Sequence, residues 1–193
     1  MKKKFFATLF LLFIFFPINS FSEVKNISEG NKNAKIKLIV YESLTCGHCA
    51  NFHKDVYPAL KKDFIDKGLI SLEFRNFPLD MVALNASKIA HCKNDGKSEI
   101  LHFLFKNQMN WVKGKTIDES KLHLKKLLEN NNIQLDFEKC ISDSMIEDHI
   151  LEDRVEGVKK FNIEATPTLL INNKKFNKPL NYKNLKKTLE KLI

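Results

Sequence analysis

The sequence predicts an α/β sandwich split by a helical insertion. Three observations carry that expectation. Strand-like runs near 35–44 and 69–77 flank an amphipathic helical stretch. About 80 residues with helical periodicity and no convincing strand follow, from Asp80 to Phe161. Strand character then returns at "TPTLLINN", before a last amphipathic helix.

The chain opens on "MKKK", a basic stretch, followed by the 14-residue apolar run "FFATLFLLFIFFPI". Ser20 and Ser22 then stand at the −3 and −1 positions of a cleavage site before Glu23. This order is that of a secretory signal peptide, residues 1–22. The run is short of the roughly 20 residues a spanning helix needs, and no cysteine follows it to carry a lipid. Export to the periplasm is therefore expected. Cleavage leaves 171 of the 193 residues, and loss of Lys2, Lys3 and Lys4 takes the formal charge from +9 to +6. The remaining lysines are interleaved with acids, a solvated surface rather than a nucleic-acid patch. All four cysteines, Cys46, Cys49, Cys92 and Cys140, lie in the exported part, where disulfides persist.

"KIKLIVYESL" reads as a strand, and "CANFHKDVYPALKKDFIDKG" as a helix with Phe52, Val56, Leu60 and Phe64 on one face. Pro58 predicts a kink or break within that helix, and Gly68 a stop. "LISLEFRNF" is a second strand, ended by Pro78. "MVALNASKIAHC", "KSEILHFLFKNQMNW", "DESKLHLKKLLEN" and "DFEKCISDSMIEDHILEDRVEGVKKF" read as four helices. "KKFNKP" can pair with "TPTLLINN" as a hairpin through Asn172 and Asn173. The last helix, "NYKNLKKTLEKLI", has Asn181 as its cap. The expected division is 23–79 and 162–193 for the two parts of the sandwich and 80–161 for the insertion.

The chemistry is expected at "LTCGHCANFH", residues 44–53. Cys46 and Cys49 sit where a strand ends and a helix begins. The unpaired N–H groups and positive dipole end there would stabilise a thiolate at Cys46, as would a protonated His48. Cys49, one turn on, can resolve a mixed disulfide formed at Cys46. Haem attachment is excluded because Ala50, not histidine, follows the pair. A metal site from Cys46, Cys49, His48 and His53, as in a copper-delivery protein, and a purely structural disulfide stay open as alternatives. Proline in "EATPTLLIN", just before an apolar strand, is a second unusual feature, because it cannot donate to a sheet ladder.

Together the strand "LIVYESLT", the motif Cys46-Gly47-His48-Cys49 opening a helix, the helical insertion and "ATPTLLINN" resemble the DsbA-like branch of the thioredoxin superfamily. The resemblance covers almost all of the exported chain. It implies a thioredoxin-like fold with an inserted all-helical domain, no cofactor and no metal. It also implies a cis Thr166–Pro167 bond facing the cysteine pair, with the Thr166 main chain free to pair with a client strand. Cys46, Cys49, His48 and Pro167 carry over directly. Gly47 departs from the Cys-Pro-His-Cys common among the oxidases of this family and is similar to the isomerase motif. Relatives often have an acid six residues before the first cysteine, where this chain has Val40. Glu42, on the same strand face, is either the proton acceptor for Cys49 or an exposed strand-end glutamate.

Cys92 and Cys140 fall on different helices of the insertion, and export favours a structural disulfide between them. Trp111, Phe103 and Phe105 read as core, Phe52 and His53 as the border of a peptide groove, and His91, His102, His123 and His149 as ordinary helical residues. The expected protein is a periplasmic thiol:disulfide oxidoreductase. It introduces disulfides into reduced, unfolded exported proteins, and a membrane redox partner reoxidises it. About 12 residues precede the first strand of the exported chain, too few for the dimerisation region of isomerases, so a monomer is expected. The alternative within the same fold is an isomerase or reductase.

Overall fold

The computed structural model describes residues 23–193; the expected signal peptide lies outside the described residues. A five-stranded mixed sheet runs in the order β1-β3-β2-β4-β5. Its strands are β1 (Ile27–Gly30), β2 (Ile36–Glu42), β3 (Ile70–Asn76), β4 (Thr168–Ile171) and β5 (Lys174–Lys175). β2 and β3 pair in parallel across the Ile36↔Ile70 to Glu42↔Asn76 register, and β4 runs antiparallel to β2 from Leu38↔Ile171 to Tyr41↔Thr168.

The link between the parallel strands begins with α1 (Gly47–Asn51) and α2 (Tyr57–Leu60), joined by a π-helical turn over Phe52–Val56 and followed by a second over Lys61–Ile65. Pro58 does not break this rod. The π turn ahead of it, in which the Tyr57 N–H donates to the Phe52 carbonyl, absorbs the mismatch. Gly68, at φ +68°, ends the rod as the sequence suggests, with Leu69 N–H on the Phe64 carbonyl and Gly68 N–H on that of Ile65.

Between β3 and β4 lie six helices: α3 (Met81–His91), α4 (Glu99–Lys106), α5 (Gln108–Trp111), α6 (Ile117–Asn130), α7 (Phe137–Ser142) and α8 (Ser144–Phe161). Four helices were expected here. Asn107, at φ −106° and ψ 15°, separates α4 from α5. Asp143 leaves the helical region and caps α8 through its carboxylate on the Met145 and Ile146 N–H groups, which splits the long run at "SDS". Asp80, Thr116 and Asp136 cap α3, α6 and α7 in the same way. The Cys92 and Cys140 sulfurs are bonded, with Cα atoms 5.3 Å apart, and tie the end of α3 to α7. The hairpin turns at Asn172 and Asn173, both with positive φ. Asn181 caps α9 (Tyr182–Leu189) by accepting from the Asn184 N–H.

β1 is a further difference from the sequence reading, which placed no strand before residue 35. Only four residues long, it pairs antiparallel with β3 from Ile27↔Phe74 to Gly30↔Ser71.

Alternation along β2 sorts the two faces of the sheet. Leu38 and Val40, with Leu72 and Phe74 of β3, bury against Phe52, Leu60 and Phe64 of the helical rod and Leu185 and Leu189 of α9. Tyr41 faces the other way and packs with Phe77, Ile163 and Leu170 under α8. Gly157 permits that approach: a Cβ there would stand 2.8 Å from the Tyr41 ring. Trp111 is fully buried, with its indole N–H on the Leu104 carbonyl. Phe105 is core as well, and Phe103 is half-buried.

Candidate active site

β2 ends at Glu42, and a four-residue loop, Ser43 to Cys46, carries the chain into α1. Its hydroxyls are all engaged. Ser43 Oγ accepts from Leu79 N–H and lies 3.2 Å from Thr45 Oγ1, which donates to Asp80 Oδ2 at 2.9 Å. The loop is thereby held to the start of α3.

Cys46 occupies the N-cap position of α1, with extended φ −80° and ψ 118°, and its carbonyl accepts from the Ala50 N–H. Both cysteines are free thiols, in unequal surroundings: Cys46 is half-buried, whereas Cys49 is 0 % exposed. Burial pushes the Cys49 thiol far above its ordinary range, and the Glu42 carboxylate acts in the same direction. The Ser43 main chain and Thr166 hydroxyl oppose them more weakly. Such a sulfur is held as a thiol once reduced.

The opposite wall is the loop entering β4. The Thr166–Pro167 bond is cis. The Cys46 thiol donates to the Thr166 carbonyl oxygen at 3.3 Å, joining residues 120 positions apart. His48 is exposed at the surface beside the pair.

Glu42 is not the exposed strand-end residue of the alternative expectation; it is 4 % exposed. Its Oε2 receives His53 Nε2 at 2.8 Å, while its Oε1 has no partner among the described residues. His53, in the first π turn, is 8 % exposed and stacks on Phe105, with ring centroids 4.0 Å apart. Its Nδ1 meets His102 Nδ1 at 3.0 Å. With both ring nitrogens engaged, His53 is not available as the fourth ligand of the proposed metal set. Among the described residues, no group of three or more histidines, cysteines and acids is gathered to hold a metal ion.

Two residues here escaped the sequence reading. Gln108, buried in α5, donates through its amide to the carbonyls of Leu44 at 2.8 Å and Cys46 at 3.1 Å. His102, read as ordinary, bridges His53 and Glu29, with Nε2 2.8 Å from Glu29 Oε1. Nothing local marks either one; the contacts span 49 to 73 residues. Of the expected groove residues, Phe52 is core. His53 instead lines an open groove of about 1030 Å³ between the helical rod and α4–α5, together with Gly47, Tyr57, Phe105 and Met109.

A family model described as thioredoxin matches residues 22–191. The crystal structure of alpha-DsbA1 from Wolbachia pipientis superposes with a TM-score of 0.77 at 30% identity, covering 86% of this chain and 90% of that one. The chain belongs to the thioredoxin family, in its DsbA-like branch. This DsbA-like protein is also 28% identical over 172 residues to the disulfide bond formation protein D of Bacillus subtilis, covering 84% of this chain and 74% of the relative. A Rickettsia bellii protein provisionally named a protein-disulfide oxidoreductase is 30% identical over 145 residues, 74% of this chain. The chain spans about half, 55%, of that relative's length. Oxidised BdbD from Bacillus subtilis, at 23% identity and a TM-score of 0.70, shares the fold.

Proposed function

We propose that this DsbA-like protein is an exported thiol:disulfide oxidoreductase that introduces disulfides into reduced proteins. The observation that carries the reading is the asymmetry of the pair: a half-buried Cys46 sulfur against the Thr166 carbonyl, and a fully buried Cys49 one turn behind it. One sulfur meets the client and the other resolves.

The reaction balances as two displacements. A client thiolate attacks Cys46 Sγ of the oxidised pair. The Cys46–Cys49 bond breaks, and its electron pair leaves on Cys49, which takes up a proton. The second client thiolate then attacks the client sulfur of the mixed disulfide, and Cys46 departs as thiolate. Two electrons have passed from client to protein. A membrane redox partner that takes them back completes the cycle.

Glu42, buried and felt electrostatically by Cys49, is the proton partner of that sulfur. Thr166 and Pro167 form the wall against which an extended client segment lies, its main chain pairing with that of Thr166. The groove along Tyr57, Phe105 and Met109 gives client or partner an apolar surface next to Gly47 and His48. Cys92–Cys140 is structural. In this reading residues 1–22 are the signal peptide, the work is done in the periplasm, and the protein acts as a monomer. The names of the Wolbachia and Bacillus relatives favour oxidation over isomerisation.

The test runs two assays on one preparation: oxidation of a reduced two-cysteine peptide, and recovery of a client with scrambled disulfides. Fast oxidation with poor unscrambling is expected. Efficient unscrambling with slow oxidation makes the protein an isomerase.

A further inference from the structure

A cysteine that leaves as a thiolate inside a closed site needs a proton from somewhere. Cys49 is fully buried, and Glu42 is buried beside it at 4 % exposure. Behind Glu42 runs an unbroken file of polar atoms: His53 Nε2 on Glu42 Oε2 at 2.8 Å, His102 Nδ1 on His53 Nδ1 at 3.0 Å, and Glu29 Oε1 on His102 Nε2 at 2.8 Å. The file crosses from β2 to the helical rod, to α4 and to β1. We propose that Glu42, His53, His102 and Glu29 form a relay that carries a proton between the buried cysteine site and the protein surface. The proposal rests on the reading of Glu42 as the proton partner of Cys49.

The geometry suits proton passage. His53 stacks with Phe105 and Phe74, at centroid distances of 4.0 and 5.6 Å, with Phe52 and Tyr57 also in ring contact. Among the described residues, the charged or titratable groups bonded to it are Glu42 and His102. His102 adds a ring contact with Tyr57 and the bond to Glu29. Glu29, at the outer end, also receives the hydroxyls of Tyr57 and Ser98 and the Lys61 ammonium. The His102 side chain is 23% exposed, so the file ends in reach of water.

Three contacts need three protons; with Glu29 ionised three arrangements satisfy all of them, one with His53 as the imidazolium and two, the ends of the relay, with His53 neutral. At one end, Glu42 is ionised, His53 carries its proton on Nε2, and His102 is a full imidazolium against the Glu29 carboxylate. At the other, Glu42 holds a proton, His53 carries its own on Nδ1, and His102 is neutral, still donating from Nε2 to Glu29. The step between them moves one unit of positive charge from His102 to Glu42 and keeps all three contacts of the file made. Protonated Glu42 then supplies the Cys49 thiolate, and His102 regains a proton from solvent. Reoxidation runs the file in reverse. Glu29, held down to about 2 because bonds from His102, Ser98 and Tyr57 outweigh its burial, stays ionised and anchors the imidazolium.

The experiment is single-turnover oxidation of a reduced peptide by the oxidised protein, quenched by alkylation, for wild type, His102→Gln and Glu42→Gln. Glutamine keeps hydrogen bonds but cannot hand a proton through. His102→Gln should slow the reaction about tenfold or more. Added imidazole should restore most of the rate, and the equilibrium with a glutathione buffer should stay within about twofold of wild type, since a relay changes rates and not end states. Should His102→Gln fail to fold, His102→Asn is read in its place. Wild-type speed in His102→Gln beside a slow Glu42→Gln overturns the relay alone. A loss that imidazole does not restore, or a shifted glutathione equilibrium, overturns it too. A Glu42→Gln variant as fast as wild type overturns the reading of Glu42 and the relay with it.

Discussion

The Gln108 side-chain amide donates to the Cys46 carbonyl oxygen at 3.1 Å, so the helical block between β3 and β4 holds the backbone of the redox cysteine directly. The same amide nitrogen reaches the Leu44 carbonyl at 2.8 Å. Replacing Gln108 by leucine keeps the bulk and leaves two carbonyls without this donor. The expected loss is about 1–3 kcal/mol in urea denaturation. Peptide oxidation should slow several-fold, because the Cys46 loop loses its brace.

Cys92 and Cys140 close a loop across a sequence separation of 48 residues. Replacing both by alanine should cost about 4 kcal/mol on the chain-entropy model. Oxidation by Cys46 and Cys49 should persist below the new melting temperature. In the wild type, alkylation of the denatured, unreduced protein should find no thiol at either position, as peptide mass mapping would show.

Fold and site were unequally legible in the sequence. The strand at 36–42, the helix start at the cysteine pair and the Asn172–Asn173 hairpin are written in local signals: β-branched runs, a strand-to-helix switch, and two residues that tolerate positive φ. β1 was not, because "ISEG" is four residues of mixed character that become a strand only beside β3. Asp143 and Asn107 broke helices that periodicity had joined, since hydrophobic spacing continues through a residue whose side chain caps or whose backbone turns. Glu42 could be placed on the correct strand face, but its burial depends on α4 and the helical rod. The file through His53 and His102 to Glu29 draws on β1, β2, the rod and α4 at once, and no one-dimensional pattern brings those together.

Burial holds His91 neutral, down to about 4, and the neighbouring His149, with ring centroids 5.2 Å away, adds to the effect. Its Nε2 lies 3.0 Å from Asn76 Nδ2, an acceptor's place. The unfolded chain binds this proton near 6.5, the folded protein only near 4. Stability therefore falls as the pH drops from 6.5 to 4 and then levels, by on the order of 3 kcal/mol. His91→Gln, which keeps an acceptor without the titration, should flatten that stretch of the stability–pH curve.

Glu29 titrates in the opposite sense. Its folded value, about 2, lies below the ordinary 4.5. The stabilisation it gives is complete above 4.5 and is lost as the pH falls toward 2. The difference in melting temperature between wild type and Glu29→Gln should be widest near neutral pH and close on acidification below 4.5. A difference that does not change with pH would assign the loss to packing around Tyr57 and Ser98 instead.

The most direct test of the central claim is the fate of Cys46 when its partner is removed. Cys49→Ala is incubated with a disulfide-bonded peptide, and the product is mapped by mass spectrometry. The Cys46 thiolate should attack the peptide disulfide, release one peptide thiolate and keep the other half as a mixed disulfide. With no resolving sulfur, that adduct should accumulate to nearly one per chain. The Cys46→Ala counterpart, whose Cys49 is buried, should form none. An adduct on Cys49 in Cys46→Ala, or none on Cys46 in Cys49→Ala, would contradict the assignment of attacking and resolving sulfurs.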